Sequence, residues 1–215
     1  MMMNDKYMAG SEQVSTGFVD SGTTFTYINS KLYAVIKNNF ECFCNTDKEN
    51  HCLGKMDFTR KGYMCFSYDE SRFPDGPKKY FESFPILRIL IAISPDKHDD
   101  RVYSLDWYPS EYLYREQEGR YCVALDISES SYITIGGTMM RQHNFVFDVE
   151  ENMLGIARAT CSEDPNQIFY EQDLRDAGQN FALEKCNYVP TSVNKTPKKS
   201  HSAPLKIEVN EGLTG

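Results

Sequence analysis

Residues 18–28 read FVDSGTTFTYI, and this stretch decides the fold of the chain. The apolar pair FV predicts the end of a strand, after which Asp20 opens a turn of small and hydroxyl-bearing residues. Gly22 lets the backbone turn tightly and leaves space beside the carboxylate. The hydroxyls of Ser21 and Thr23 can hydrogen-bond that carboxylate and fix its orientation. By itself the pattern is also typical of a polar turn with a capping aspartate, so its meaning depends on the rest of the chain.

Short strand-like runs dominate the sequence, and turn formers separate them. This spacing is typical of all-β domains and not of alternating βαβ units. One helix is predicted from Asn29 or Ser30 to Phe40, because apolar residues recur at helical spacing behind a capping side chain. A single helical turn is expected in YPSEYLY. The predicted strands are GFVDS, YMCFSY, FPILRILIAI, RVYSLDW, RYCVALDI, YITIG, NFVFDV and MLGIARA.

Length and charge limit the classes of protein that fit. The chain has 215 residues and a formal net charge of −8, so one domain with a sizeable core is expected, and a nucleic-acid or anionic-membrane partner is disfavoured. No apolar run approaches the length of a membrane-spanning helix. We place the domain at residues 1–161 and predict a tail at 162–215, weakly helical to Cys186 and disordered beyond it, where Pro, Ser, Lys and Thr prevail.

Seven cysteines predict disulfides formed in an oxidising compartment, although the sequence does not fix their pairing. The first ten residues contain no apolar signal-peptide core, so we expect that an N-terminal portion is missing. A zinc site at Cys42, Cys44, His51 and Cys52 is the alternative. It is disfavoured because structural zinc sites typically use C-x2–4-C pairs and because His51 and Cys52 are adjacent. No metal site is therefore predicted.

Two later motifs give the opening stretch its meaning. ITIGG at 133–137 runs two apolar strand residues into Gly136, and MRQHNFVFDVEENMLGIA follows at 140–157. Together with VDSGTT, they resemble the C-terminal lobe of pepsin-type aspartic proteases. VDSGTT resembles the second D-[ST]-G-[ST] motif of that family, and ITIGG resembles the element that passes beneath it. The resemblance covers about residues 14–161. It implies an all-β lobe of the pepsin-like acid protease fold, incomplete on its N-terminal side.

The resemblance also implies roles for the residues of the motif. Asp20 corresponds to one of the two catalytic aspartates that activate a water molecule between them. Ser21 takes the place of the hydroxyl residue that joins the two lobes across the pair. Thr23 takes the place of the residue that hydrogen-bonds the outer carboxylate oxygen, and Gly22 supplies the close backbone approach.

Further expectations follow from the same resemblance. Tyr27 and Ile28 are expected near the cleft wall, and Cys65 and Cys122 in CFSY and YCVALDI are expected to form the disulfide of the lobe. Hydrolysis in this family uses neither a metal nor an organic cofactor. We read Trp107 as a core residue, and Asp126 and Asp148 as structural hydrogen-bonding groups.

A narrower resemblance is to the apicomplexan plasmepsin V branch of these proteases. It rests on residues 94–115, on YCVALDISES and MMRQ, and on the cysteine-rich insertion ECFCNTDKENHC. That branch consists of endoplasmic-reticulum proteases that cut export motifs in secreted proteins. The resemblance implies a protein or peptide substrate and a location in the secretory pathway, in the endoplasmic reticulum.

The sequence contains only one D-[ST]-G motif. Asp75-Gly76 lies in a Pro-flanked turn and follows no apolar strand. The second catalytic aspartate is therefore expected on the missing N-terminal lobe, and we expect this chain to hydrolyse no peptide bond alone. Two alternatives remain open: a homodimer that builds the pair from two copies, as retroviral proteases do, and a non-catalytic lobe that binds a peptide or a partner.

Overall fold

A computed structural model of the protein describes residues 1–11, 16–45, 51–58, 62–94, 98, 100–159 and 206–207. These residues are mostly β-structure with a few helices, which confirms the predicted fold class. The strands are β1 Met2–Met3, β2 Lys6–Tyr7, β3 Thr16–Val19, β4 Thr26–Asn29, β5 Met56–Phe58, β6 Met64–Ser67, β7 Leu87–Ala92, β8 Val102–Trp107, β9 Leu113–Gln117, β10 Arg120–Val123, β11 Leu125–Ser128, β12 Ile133–Ile135, β13 His143–Asp148, β14 Met153–Arg158 and β15 Lys206–Ile207. The helices are α1 Ser30–Asn45, α2 Lys78–Glu82, α3 Pro109–Tyr112 and α4 Gly137–Met140.

The central sheet has the strand order β11-β4-β12-β3-β15. β3 and β4 are consecutive in sequence, yet β12 lies between them, parallel to β3 and antiparallel to β4. β11 runs parallel to β4 on the far side. The chain therefore leaves β3, passes through the DSGTT turn and returns as β4 around a strand from more than a hundred residues later. This arrangement places the turn at one end of the sheet.

Two four-stranded sheets and one ribbon complete the described fold. Their orders are β2-β1-β7-β8 and β5-β6-β10-β9, and the ribbon consists of β13 and β14. β7 alternates between buried and partly exposed residues along its whole length, as a strand with one face on the core should. The core contains large aromatic side chains, and Trp107 is fully buried among them, as predicted.

Helix α1 confirms the predicted helix and extends it. The side-chain oxygen of Asn29 accepts a hydrogen bond from the backbone N–H of Leu32 at 2.9 Å, so Asn29 is the capping residue. The helix continues past Phe40 to Asn45, because Phe43 and Cys44 prolong the buried face. The predicted turn in YPSEYLY is helix α3.

The five cysteines that lie within the described residues are all in disulfides. Cys65 and Cys122 lie directly opposite each other on β6 and β10 and form the bond that the family resemblance implies. Cys44 at the end of α1 is bonded to Cys52, and Cys42 is disulfide-bonded as well. Because a disulfide sulfur is not a thiolate, these three cysteines are not available for the alternative zinc site.

The predicted tail and the boundary after Cys161 lie outside the described residues, except for Lys206–Ile207, which form β15. Among the helices that the structure describes, none is long and apolar enough to cross a membrane.

Candidate active site

Asp20 lies at the end of β3, where the strand gives way to the turn. Its backbone N–H donates to the carbonyl of Ile135 on β12 at 3.0 Å, which continues the strand pairing to the site itself. The carbonyl of Asp20 accepts a hydrogen bond from the N–H of Thr23 at 3.2 Å, which closes the turn. Its position is therefore set by the central sheet.

Both carboxylate oxygens of Asp20 are held by the turn. Oδ1 accepts a hydrogen bond from the backbone N–H of Gly22 at 2.9 Å, and Oδ2 accepts one from the hydroxyl of Thr23 at 2.5 Å. A Cβ at Gly22 would lie 3.2 Å from Oδ1, so glycine leaves room for this approach. Two donors fix the plane of the carboxylate, which is half-buried.

Gly136 explains how the turn is supported from below. A Cβ at this position would lie 2.1 Å from the carbonyl oxygen of Phe25, so only glycine fits beneath the turn. The next two residues, Gly137 and Thr138, donate their N–H groups to the carbonyls of Thr23 and Thr24 at 2.7 and 3.0 Å. The element predicted to pass beneath the motif thus holds it through backbone hydrogen bonds.

Helix α4, which begins at Gly137, is tied to the hydrophobic core. The indole N–H of Trp107 donates to the carbonyl of Thr138 at 3.0 Å. Sequence reasoning assigned Trp107 to the core and missed this contact. Only a general rule predicts such a contact, namely that a buried tryptophan usually finds an acceptor for its N–H.

The remaining predicted site residues have different surroundings. Ser21 is exposed. Tyr27 is half-buried on β4, opposite Thr134 of β12, and stays a predicted cleft residue. Ile28 alternates to the other face and is fully buried in the core, so its side chain supports the sheet and does not reach a cleft.

The two aspartates predicted to be structural make structural hydrogen bonds. Asp126 accepts a hydrogen bond from the hydroxyl of Tyr63 at 3.0 Å. Burial, aided by this carboxylate, raises the pKa of Tyr63 to about 12. Asp148 accepts from the backbone N–H of Glu151 at 3.0 Å in the turn of the β13–β14 ribbon.

An ion pair between the buried Glu111 and the partly exposed Arg158 anchors the β13–β14 ribbon, and sequence reasoning missed it. Glu111 of α3 is 3% exposed, and one of its oxygens accepts a hydrogen bond from Arg158 at the end of β14 at 2.5 Å. The other accepts from the N–H of Tyr108 at 3.1 Å, and the guanidinium of Arg158 lies 4.7 Å from the Tyr108 ring centre. Burial raises the pKa of Glu111 even though Arg158 lowers it. The signal in the sequence was a Glu at the third position of a helical turn, which is typical of a capping box.

The arrangement provides one oriented carboxylate at a sheet end. Such a group can accept a proton from water or hold it in place by a hydrogen bond. Hydrolysis of an amide also requires an acid, which a second carboxylate sharing one proton would provide. Within the described residues, no group of three or more His, Cys, Asp and Glu residues could hold a metal ion.

Comparison with known proteins identifies the family of the chain. The family described as "Xylanase inhibitor C-terminal" matches residues 4–158. Plasmepsin V of Plasmodium falciparum (isolate 3D7) is 24% identical over 164 residues, which is 66% of this chain and 26% of that protein. Aspartic protease 5 of Toxoplasma gondii is 32% identical over 78 residues, or 36% of this chain and 7% of that protein. The chain thus spans about a quarter of the length of the plasmepsin V that it matches.

Proposed function

Because the chain belongs to the xylanase inhibitor C-terminal family and is a pepsin-type C-terminal lobe, we propose that it is one half of the catalytic unit of an aspartic endopeptidase. Asp20 is one of the two carboxylates that activate water. The observation that carries this proposal is the carboxylate of Asp20, whose two oxygens accept separate hydrogen bonds from Gly22 and Thr23 at the end of β3.

In the proposed mechanism, water lies between Asp20 and a second carboxylate. Because two like charges so close together cannot both ionise easily, the pair holds one proton. The ionised member removes a proton from water, and the protonated member donates its proton to the carbonyl oxygen of the scissile amide. Gly22 and Thr23 keep Asp20 oriented throughout. No metal or organic cofactor takes part.

The second carboxylate is supplied by an N-terminal lobe, in this proposal. Exposed apolar side chains on the β13–β14 ribbon support the presence of such a partner. Val146 is 61% exposed, Phe147 45% and Met153 57%. Large apolar residues concentrated on one small element are typical of a surface that another protein unit covers. Ser21, which is exposed beside Asp20, is the proposed contact between the two lobes at the active site.

We propose further that the complete enzyme processes export-motif proteins in the secretory pathway, in the endoplasmic reticulum. The resemblance to the plasmepsin V branch supports this location and substrate class. The disulfides support it as well, since such bonds persist in oxidising compartments.

The test compares the chain alone with the chain joined to an N-terminal lobe that carries a D-[ST]-G motif. The chain alone is expected to cleave no peptide, and the two-lobed protein is expected to cleave export-motif peptides. Asp20→Asn should abolish that cleavage without changing the urea concentration at which half of the protein is unfolded. Asp75→Asn is the matched control, since Asp75 is an exposed aspartate in a turn and is outside the D-[ST]-G motif, and it should retain full activity.

Two results would overturn the proposal. Full activity of the two-lobed Asp20→Asn variant would remove Asp20 from the mechanism. Cleavage by the chain alone, lost in Asp20→Asn, would support the homodimeric alternative instead. Sedimentation velocity with titration by a transition-state analogue would then give one site for every two chains.

A binding lobe without catalysis is the second candidate, and the description of the matching family as inhibitors favours considering it. This function requires only the surface of the lobe and not its carboxylate. A protein partner that binds wild-type and Asp20→Asn chains with equal affinity, in a two-lobed protein that cleaves nothing, would support this candidate.

A further inference from the structure

The strand that leads to Asp20 has neighbours on both sides. On one side, β12 pairs with β3 through Ile133, Thr134 and Ile135. On the other side, β15 pairs in parallel with it, with Lys206 opposite Thr16 and Ile207 opposite Gly17. β15 also lies against β7. Within the described residues, β3 is thus an interior strand of the central sheet only because a segment near the end of the chain covers it.

Without β15, the outer edge of β3 would expose unpaired N–H and C=O groups. Such an edge is a template on which another extended chain can add as a strand. Here the edge belongs to the strand that ends at Asp20, so pairing along it also restrains the position of that carboxylate. β3 has only four residues, and each hydrogen bond to a neighbour is a large share of its total pairing.

The sequence around β15 has the pattern of a strand. Residues 205–209 read LKIEV, in which apolar residues alternate with charged ones. This period of two is typical of a strand with one face on apolar surface. The surrounding composition, rich in Pro, Ser, Lys and Thr, led us to predict disorder beyond Cys186, and the short alternating run was not recognised as a strand.

We propose that the outer edge of β3 is a strand-addition site for an extended peptide of alternating apolar and polar residues, and that Lys206–Ile207 occupies it within the same chain. Backbone hydrogen bonds between the two parallel strands supply the affinity. The occupied site orders β3 and restrains Asp20. This inference does not depend on the catalytic proposal, because it concerns only the pairing of the sheet.

The test removes the segment and then returns it as a separate peptide. Hydrogen exchange is measured by mass spectrometry on fragments that cover β3, in the full chain and in a chain ending at Ser200. Exchange at β3 should be about tenfold faster in the shortened chain, which corresponds to the loss of about one hydrogen bond. Exchange at β10, which lies in the separate sheet β5-β6-β10-β9, should not change and controls for global unfolding.

A peptide of residues 203–210 should restore slow exchange at β3. The matched control is the same peptide with methylated backbone nitrogens at Lys206 and Ile207, which keeps both side chains and removes the N–H groups. It should not restore protection. If the shortened chain does not fold, the variant Lys206→Pro/Ile207→Pro in the full chain takes its place, because proline also lacks the N–H.

Unchanged exchange at β3 in both the shortened chain and the proline variant would overturn the proposal. So would equal protection by the methylated and unmethylated peptides, which would mean that strand pairing is not the mode of binding.

Discussion

Replacing Gly136 by alanine is expected to destabilise the turn that carries Asp20, whereas the same change at Gly137 is expected to be tolerated. The added Cβ at 136 would lie 2.1 Å from the carbonyl oxygen of Phe25 and 2.8 Å from that of Thr23. At Gly137 the nearest atom would be 3.6 Å away, which is ordinary van der Waals contact. The pair is a matched comparison because the two glycines are neighbours in one segment.

The expected loss of free energy of unfolding in Gly136→Ala follows from these distances. Carbon and oxygen atoms rest no closer than about 3.3 Å, so the segment or the turn has to move by about 1 Å. Overpacking of this kind costs about 1–3 kcal/mol. The same movement breaks the hydrogen bonds that Gly137 and Thr138 donate to the turn, each of which contributes about 1 kcal/mol. We expect Gly136→Ala to lower the free energy of unfolding by about 3–5 kcal/mol. Gly137→Ala should stay within about 1 kcal/mol of the wild type.

Urea unfolding followed by tryptophan fluorescence is the assay. Trp107 is the sole tryptophan of the chain, and its indole N–H bonds to Thr138, so the probe lies next to the perturbed segment. With a slope of about 2 kcal/mol per molar urea, the midpoint should fall by about 2 M in Gly136→Ala. Equal midpoints for the two variants would refute the claim that Gly136 is held by a close backbone approach.

Three further predictions concern other parts of the lobe. Arg158→Met leaves the buried carboxylate of Glu111 without its charged partner, so urea unfolding should show a loss of about 2–3 kcal/mol in the free energy of unfolding, and a loss below 0.5 kcal/mol would contradict a stabilising role of the pair. Tyr80→Phe should leave the free energy of unfolding unchanged or raise it by about 1 kcal/mol, because the Tyr80 hydroxyl has no hydrogen-bond partner among the described residues. By contrast, Tyr112→Phe removes a buried hydrogen bond to the carbonyl of Pro85 and should lower it by about 1 kcal/mol in the same assay. Burial and Arg158 lower the pKa of His143 below its ordinary 6.5, so the folded state binds a proton at His143 less readily than the unfolded state does. The free energy of unfolding of the wild type, relative to that of His143→Gln, should therefore fall as the pH drops below 6.5. Parallel pH profiles of the two proteins would refute this.

Local sequence determined much of the fold, because it encodes secondary structure and sharp backbone requirements. The buried face of α1 was evident from the spacing of Leu32, Ile36 and Phe40, and the structure adds only its last turn. The family resemblance identified ITIGG as the element beneath the turn, whereas the close approach that requires glycine at position 136 is seen only in the structure. The Cys65–Cys122 bond rested on that resemblance, since spacing alone leaves the pairing open.

Long-range contacts could not be predicted in the same way. The Glu111–Arg158 pair joins residues 47 positions apart. The local sequence indicates a capping role for Glu111, but it does not indicate Arg158 as its partner. Ile28 was expected at a cleft, yet the pleat of β4 turns it into the core. The missed ion pair and the misplaced Ile28 have the same origin, since the contacts and the face of a residue depend on partners that are distant in sequence.

The sequence by itself determined that the chain forms short strands and that a D-S-G-T turn with Asp20 follows one of them. It also identified the glycine element on which that turn rests. Only the tertiary structure decided that β12 enters between β3 and β4, that the two oxygens of Asp20 have separate donors, and that β15 covers the outer edge of β3. The physical reason is that hydrophobic periodicity and turn chemistry act over a few residues, whereas the choice of strand neighbours depends on the burial and hydrogen bonding of the whole lobe.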